Sequence, residues 1–415
     1  MNSLVGVSGF LRHNFSSFDR LARWGFNSGV FLTICGFYSS IFTISLGMIM
    51  MGSASLIHLI LHYRTAKEKV ARNLYFLLIL LIPVSVLTSL YGSDDIGLAL
   101  VRLRVNLGFF LIPLIVFCSP VFETSRYVQW LRFAALGAVL TLTVILISFI
   151  QDYESIRLGM SAGQPIPLPV NHIRLSMMIA FTGIGCVIYW LKNKSAGKEW
   201  IIYALLITLG TIFLSVRTGW LILGLGVLIV LIHFMRFRED GKVIKMLLGL
   251  TVLALLAFLL IPTVRAKIDY MRWDLSQLDS TTGAHYSDSD RIIAFKNGVE
   301  IFKNNLMTGV GAGDVVIEIE KNAVAEGRRL PVKIPHNQFL YTAVCGGIVS
   351  LLFFIPGYFF PFFINRTRQN KLLLLMITLF LVTLFFEPTF ETSMGVLGFV
   401  FLYSLLAKHQ VDFTP

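Results

Sequence analysis

The sequence contains little charge. Asp, Glu, Lys and Arg make up 14% of its 415 residues, whereas about a quarter is typical of soluble domains. Hydrophobic residues account for 56%, and the mean hydropathy is +0.76. Apolar runs of eighteen or more residues recur along the chain, and each can cross a bilayer core of about 30 Å. This composition excludes a soluble globular protein and predicts a chain that crosses the membrane several times.

Recognisable metal and disulfide motifs are also missing. The four cysteines lie in or at the ends of apolar runs without a CxxC pair, which argues against a disulfide framework or a thiolate site. The eight histidines include no HExxH motif, and we expect no metal-ligand spacing among them. We therefore predict no cofactor and no tightly bound transition metal. Aromatic-interleaved basic patches are absent too, which excludes a nucleic-acid partner.

Hydropathy predicts an all-α polytopic membrane protein with about twelve transmembrane helices. The first two spans merge into one apolar stretch, which we divide at Tyr38-Ser39-Ser40, and the fourth span carries Arg102 and Arg104. The boundaries are soft by a few residues. The predicted spans lie near 26–41, 44–62, 74–91, 98–118, 131–151, 173–191, 200–216, 219–235, 245–262, 338–363, 372–387 and 392–407.

The basic residues predict the orientation. With the N-terminus inside, the cytoplasmic segments and their edge residues Arg132 and Lys245 hold twenty basic and seven acidic residues, against fifteen and sixteen elsewhere. Cytoplasmic loops are enriched in Lys and Arg, so both termini are expected in the cytoplasm. The amphipathic N-terminal stretch to Asn27 predicts that the first span acts as its own uncleaved signal. The basic pI then reflects topology and anionic membrane lipids.

This topology divides the chain into three parts. Residues 1–262 would hold helices one to nine, residues 263–337 a large extracytoplasmic loop, and residues 338–415 helices ten to twelve. The loop carries ten basic and ten acidic residues. Structured loops of this length are usually functional.

Within the loop, an amphipathic helix is predicted to begin at Ser287. Ser287 and Asp290 have capping-box spacing, and a helical apolar face follows at Ile292, Phe295, Val299 and Phe302. Arg291 would lie in the first turn, where a cation opposes the helix dipole unless an anion binds there. Pairing of Arg291 with Asp288 or Asp290 is the alternative.

Two further polar residues stand at membrane boundaries on the same predicted side. Arg217 lies in the short Ser-Val-Arg-Thr-Gly connection between spans seven and eight, where it could bind an anion or act as a snorkelling anchor. His336 lies where the loop rejoins the membrane and could serve as a general base or as a hydrogen-bonded structural residue. Asn337 or a carboxylate could fix its tautomer.

A glycine-rich segment, Gly309-Val-Gly311-Ala-Gly313, suggests a nucleotide loop at first sight. It lacks the preceding buried strand, the full GxGxxG spacing and a P-loop lysine. The segment is therefore predicted to form a tight backbone turn, with close approach to a ligand as a further possibility.

Taken together, these features resemble the O-antigen ligase family, part of the O-antigen ligase/polymerase superfamily. They are the many-span chain, the late extracytoplasmic loop, the arginine in Ser-Val-Arg217-Thr-Gly, a second arginine, Arg291, that opens a loop helix, the Gly-x-Gly-x-Gly run, and Pro-His336-Asn before a span. The order and placement of the motifs carry the resemblance, since no single motif is diagnostic.

The resemblance implies a metal-independent inverting glycosyltransferase with a GT-C-like helical fold in the bacterial inner membrane. Such an enzyme transfers a glycan from undecaprenyl diphosphate to lipid A–core oligosaccharide on the periplasmic face. By the same resemblance, Arg217 and Arg291 would hold the diphosphate and His336 would be catalytic. Glu387 and Glu391 flank the last outer turn. The family often has a carboxylate there, so we leave their roles open.

Two other functions remain possible at this stage. A polymerase of the same superfamily would use the same donor with a different acceptor. A transporter or flippase of lipid-linked glycans would instead place ionisable residues near the midplane and show repeated halves, and the sequence shows neither pattern.

Overall fold

The computed structural model describes residues 2–72, 74–193, 195–236, 241–276, 287–325, 327 and 334–413. These residues form α-helices and two 3₁₀ helices, Leu74–Leu80 and Thr389–Glu391, and no β-strand occurs among them. The α-helices are α1 (Asn2–Ser39), α2 (Ile41–Leu61), α3 (Tyr63–Arg72), α4 (Leu81–Thr88), α5 (Ile96–Asn106), α6 (Gly108–Phe117), α7 (Thr124–Gln151), α8 (Tyr153–Ser161), α9 (His172–Lys192), α10 (Glu199–Phe213), α11 (Arg217–Arg236), α12 (Gly241–Leu260), α13 (Pro262–Ser276), α14 (Ser287–Asn304), α15 (Val315–Ala325), α16 (Gln338–Phe363), α17 (Asn365–Gln369), α18 (Lys371–Phe386) and α19 (Ser393–Phe413).

Helices lie over all twelve predicted spans. Five helical stretches in the described part of the chain are long and apolar enough to cross a bilayer. They are Ile41–Leu61, Ile96–Phe117, Thr124–Gln151, His172–Lys192 and Gln338–Phe363. Leucines such as Leu140 and Leu259 are exposed on the outside of the bundle, as expected for a surface that faces lipid. The structure is therefore that of an all-helical, multi-pass membrane protein, while the number twelve and the GT-C-like arrangement stay predictions.

The predicted division of the first apolar stretch is confirmed. Helix α1 ends at Ser39, and the Ser40 hydroxyl accepts a hydrogen bond of 3.2 Å from the Phe42 amide to cap α2. The two helices then pack as a close antiparallel hairpin, in which Gly29 faces the backbone of Gly47. Small residues let helix backbones approach closely inside a membrane, and a Cβ at either glycine would collide with the opposite helix.

Helix α16 is kinked, and the glycine-rich segment occupies the kink. Gly346 and Gly347 leave helical geometry, with φ of 62° at Gly347. The carbonyls of Val344 and Cys345 accept hydrogen bonds of 2.9 Å from the amides of Val310 and Gly311. Gly309 and Gly311 have φ of 65° and 91°, which favours glycine. The predicted tight backbone turn is confirmed, and its closest neighbours are protein atoms, namely the α16 backbone at Gly309 and Ser93 at Gly311.

Residues 263–337, which are predicted to be extracytoplasmic and are called the outer loop below, share a hydrophobic core with the start of α16. Ile301 of α14 packs with Val315 and Ile319 of α15 and with Tyr341 and Val344 from the first turns of α16. This outer core is separate from the large core of the helical bundle. The first two turns of α16 therefore belong to the loop as well as to the membrane domain.

Residues from Ser287 onward are helical, at the edge of the described part of the chain, and the predicted apolar face lies partly at the protein surface. Phe295 is exposed, whereas Ala294, Gly298 and Ile301 are buried. The physical reason is Gly298, whose missing side chain lets α14 approach Pro335 and Leu340. Because of this contact, the side of α14 that carries Gly298 faces inward and Phe295 faces outward.

The charge pattern yields a prediction for the orientation. Lys321 of α15 and Arg126 at the start of α7 are both exposed, and they should lie on opposite sides of the membrane. In spheroplasts, an impermeant thiol reagent should label Lys321→Cys and should label Arg126→Cys only after the membrane is opened. The parent chain controls for its own exposed Cys35. Equal labelling of both positions from outside would contradict the topology.

Candidate active site

The turn between α18 and α19 organises the polar end of the bundle. Gln338, the first residue of α16, accepts a hydrogen bond of 2.8 Å from the Phe390 amide and donates one of 3.1 Å to Glu391 Oε1. The Asn106 side chain donates to the Phe390 carbonyl at 3.4 Å. These bonds hold the 387–392 turn against α5 and α16, so both glutamates have defined positions.

Glu387 connects two of the predicted site residues. Its Oε1 accepts a hydrogen bond of 2.8 Å from Arg291 Nη2, and its Oε2 lies 3.2 Å from His336 Nδ1. The Glu387 side chain is 4% exposed, whereas those of Arg291 and His336 are 28% and 21% exposed. A buried carboxylate is thus held between a cation and an imidazole that both reach the surface of the site.

The electrostatics determine which nitrogen of His336 carries the proton. Burial alone would raise the pKa of Glu387, but the His336 hydrogen bond and the charges of Arg291 and Arg174 outweigh it, so this pKa lies below its ordinary value. An ionised carboxylate can only accept hydrogen bonds. His336 Nδ1 must therefore be the donor, which leaves the lone pair of the neutral ring on Nε2.

Glu391 has the opposite environment. It lines a cavity of about 20 Å³, room for one water, together with Arg102, Asn106 and Tyr341. Burial raises the pKa of Glu391, and the positive charge of Arg102 opposes this effect. The surroundings of the two glutamates therefore shift their pKa values in opposite directions, downward for Glu387 and upward for Glu391.

Arg174 is a further cation at this end, which the sequence reasoning missed. Its side chain is buried in α9, where Nε donates to Thr392 Oγ1 at 3.2 Å and Nη1 to Thr389 Oγ1 at 3.4 Å. Its charge acts on Glu387. An arginine at the start of an otherwise apolar span is costly in a membrane and commonly functional, and this signal could have identified it.

Arg217 is the first residue of α11 and follows a strained turn. Ser215 has φ of 54°, unusual for a residue with a side chain, and its hydroxyl donates to Thr263 Oγ1 at 2.9 Å. Helices α9 and α11 run parallel, because Gly219 packs on Ser176 and Gly226 on Ile184. Arg217 and Arg174 therefore lie at the same end of neighbouring helices, where both helix dipoles favour an anion.

The remaining predicted residues have local structural contacts. Asn337 caps α16 by accepting from the Leu340 amide at 2.9 Å, and its Nδ2 donates to the Phe385 carbonyl at 3.2 Å. Of the two predicted orienting groups for His336, the carboxylate is the one in contact. Gly309 packs at the α16 kink, Gly311 on Ser93, and Gly313 on Asp95.

A groove with a volume of about 460 Å³ lies between α8 and α13, within the range of ligand pockets. Aromatic side chains line it with an arginine and an aspartate, namely Phe149, Tyr153, Tyr270, Trp273, Arg157 and Asp269. Thr263 also lines the groove, and it is hydrogen-bonded to Ser215. The groove therefore reaches the turn that precedes Arg217.

A comparison with protein families matches residues 202–355 to the model described as O-antigen ligase. Over these residues the chain is similar to the O-antigen ligase family. The matched segment includes Arg217, Arg291 and His336, so the predicted resemblance is confirmed over the part of the chain that carries its motifs. No curated protein matches the chain.

The site extends beyond the O-antigen ligase segment. Glu387 and Arg174 lie outside residues 202–355, yet one contacts Arg291 and His336 and the other binds the same turn. Helices on both sides of the matched segment thus complete the polar cluster.

The lowered pKa of Glu387 predicts an acid-dependent loss of stability. A carboxyl group whose pKa is lower in the folded state contributes its full stabilisation at a pH above its ordinary pKa, here 4.5. This stabilisation is lost as the pH falls through the lowered pKa of the folded state. Wild type should therefore be more stable than Glu387→Gln at neutral pH, and the difference in Tm between them should shrink once the pH is below 4.5.

Thermal unfolding of the purified protein across this pH range would measure the effect. Glu391→Gln is the matched control, because burial raises the pKa of Glu391. Acid should therefore not reduce the difference in Tm between this variant and wild type. A Glu387→Gln difference in Tm that stays constant with pH would show that this carboxylate is not held ionised by its partners.

Proposed function

We propose that this protein is an O-antigen ligase of the bacterial inner membrane. It transfers a completed glycan from undecaprenyl diphosphate to lipid A–core oligosaccharide on the periplasmic face, in lipopolysaccharide biosynthesis. The observation that carries the proposal is the Arg291–Glu387–His336 cluster, in which one buried carboxylate links a cation suited to phosphate with an imidazole suited to proton transfer.

His336 acts as the general base. Its Nε2 lone pair removes the proton from the acceptor hydroxyl as that oxygen attacks the anomeric carbon of the donor glycan. The new glycosidic bond forms as the bond from the anomeric carbon to the diphosphate oxygen breaks, with inversion at that carbon. Glu387 is a positioning residue that fixes the tautomer and stabilises the imidazolium formed in this step.

The arginines stabilise the leaving group. The bond electrons pass to the diphosphate oxygen, and Arg291 and Arg217 compensate the charge that develops there. The Arg291 bond to Glu387 uses one guanidinium nitrogen, and a guanidinium has five N–H donors. Buried Arg174 and the N-termini of α9 and α11 add to the positive potential.

In the proposed reaction, no metal ion takes part at this site. Arginines neutralise the diphosphate charge in place of a divalent ion, and a histidine supplies the base. Among the described residues, the group of side chains with metal-binding geometry consists of Asp19, His58 and His62 on the α1–α2 hairpin and does not include His336.

The groove between α8 and α13 suits the saccharide of a lipid-linked substrate. Aromatic side chains with a few polar groups are typical of such pockets, and Trp273 is half exposed beside buried Tyr270. Through Thr263 the groove meets the turn before Arg217, so a glycan in the groove would lead toward the diphosphate site.

Two alternatives differ from this proposal in measurable ways. A polymerase of the superfamily would use a second carrier-linked glycan as acceptor. A transporter would move the lipid-linked glycan across the membrane without a new glycosidic bond. The polar cluster at one end of the helices favours chemistry over transport, since transporter sites lie near the midplane.

Transfer assays with defined lipids would test the proposal. Purified protein receives an undecaprenyl-diphosphate-linked glycan with either lipid A–core or a second carrier-linked glycan, in buffer with EDTA. The ligase proposal expects product with lipid A–core alone. Elongated carrier-linked glycan would indicate a polymerase, and activity that returns only with added magnesium or manganese would contradict a metal-independent reaction.

Both Arg217 and Arg291 should be needed for donor binding. Replacement by Ala should abolish transfer while the protein still accumulates in the membrane, because the diphosphate charge is no longer compensated. Lys should restore part of the activity, since its point charge cannot reproduce a bidentate contact. Lys321→Ala on α15, which removes an exposed cation, is the control. Normal transfer by both Ala variants would assign the arginines to anchoring.

Replacement of His336 by Ala should lower turnover about a hundredfold or more, the usual scale of acid–base catalysis. Donor affinity should largely survive, because the arginines bind the diphosphate. Glu387→Gln should lower kcat more than it changes KM. Weaker donor affinity with normal turnover at saturation would make His336 a binding residue instead.

A further inference from the structure

At the opposite end of the α1–α2 hairpin from its Ser40 turn, three side chains converge. Asp19 of α1 lies between His58 of α2 and His62, the C-cap residue of α2, with Oδ1 at 3.4 Å from His58 Nδ1 and 3.1 Å from His62 Nε2. The three ligand atoms lie within 4.8 Å of one another. We propose that Asp19, His58 and His62 form a binding site for a divalent transition metal, with Zn²⁺ the best match.

The atomic spacing supports a metal. In a tetrahedral zinc site with bonds of about 2.0–2.1 Å, neighbouring ligand atoms are about 3.3 Å apart. The two separations from Asp19 Oδ1, 3.4 and 3.1 Å, bracket this value. Two imidazoles and one carboxylate are a ligand set that zinc accepts, with water in the fourth position.

His58 supplies an independent observation. Its Nδ1 is buried and makes no hydrogen bond in the structure. Asp19 Oδ1 lies 3.4 Å from this nitrogen, and a metal ion at the centre of the three side chains would complete its coordination, since a buried polar atom without a hydrogen bond is costly. The His58 and His62 rings lie 4.4 Å apart with 40° between their planes, so both can approach one ion.

Neighbouring groups orient the carboxylate. Arg23 Nε donates to Asp19 Oδ2 at 3.0 Å and Arg23 Nη1 to the Val121 carbonyl at 3.0 Å. This leaves Oδ1 directed at the histidines, the kind of outer contact that commonly orients metal ligands. The nearby charge of Lys408 is balanced, because its Nζ lies 3.3 Å from Asp412 and donates to Ser119.

This site corrects the expectation that the histidines lack metal-ligand spacing, which is wrong for His58 and His62. Residues four apart on a helix share one face, so these two histidines form a pair on α2. The third ligand comes from another helix, which spacing along the sequence does not reveal. A metal here would join α1 to α2 at the end predicted to be cytoplasmic, separately from the candidate active site.

Metal binding by the full-length protein would test the proposal. The protein is purified in detergent without a histidine tag, stripped by chelator, and titrated with Zn²⁺ and with Co²⁺. We expect one Zn²⁺ per chain, a higher Tm with zinc, and the visible absorption bands of tetrahedral Co²⁺. Absence of saturable zinc binding by folded wild type, or an octahedral Co²⁺ spectrum, would overturn the site.

Variants locate the metal. His58→Gln, His62→Gln and Asp19→Asn should each weaken zinc binding by about tenfold or more, whereas His409→Gln, outside the triad, should bind like wild type. Zinc affinity unchanged in all three triad variants would refute the assignment. If the histidine variants fail to fold, Asp19→Asn and the wild-type Co²⁺ spectrum still decide. The assay is independent of glycan transfer, so its outcome does not depend on the proposed function.

Discussion

A single buried negative charge, the Glu387 carboxylate, holds the polar end of this protein together. Burying a carboxylate without partners is costly, and removal of one partner leaves an uncompensated charge. Arg291 comes from the outer loop, and His336 from the segment that leads into α16, and both must be in place to satisfy it. The loop, α16 and the end of α18 are therefore ordered together, and the ionised carboxylate sets the tautomer of His336.

The sequence predicted features that depend on local signals. Hydropathy placed the helices, the Tyr38–Ser40 polar break marked the end of α1, and the apolar spacing after Ser287 indicated the helix α14. Local signals do not reveal contacts between residues that are distant in sequence. The bond between Arg291 and Glu387 joins residues 96 positions apart, and the inward face of α14 depends on a contact of Gly298 with Pro335.

The 387–392 turn also shows why residue type alone left its glutamates unassigned. Glu387 and Glu391 stand four residues apart with the same chemistry. One faces Arg291 and His336, whereas the other faces an enclosed cavity with Arg102 and Tyr341. Contrasting environments push the pKa values of two carboxyls apart. The three-dimensional surroundings, which the sequence does not spell out, lower the pKa of one glutamate and raise that of the other.

The composition of the outer core determines whether the loop can fold on its own. Ile301, Val315 and Ile319 belong to loop helices, but Tyr341 and Val344 of the same core come from α16 above its kink. A fragment cut at residue 337 would lose the α16 side of this packing and would expose the apolar faces of α14 and α15 to water. The loop is therefore not an independent soluble domain, because the top of a membrane helix completes its interior.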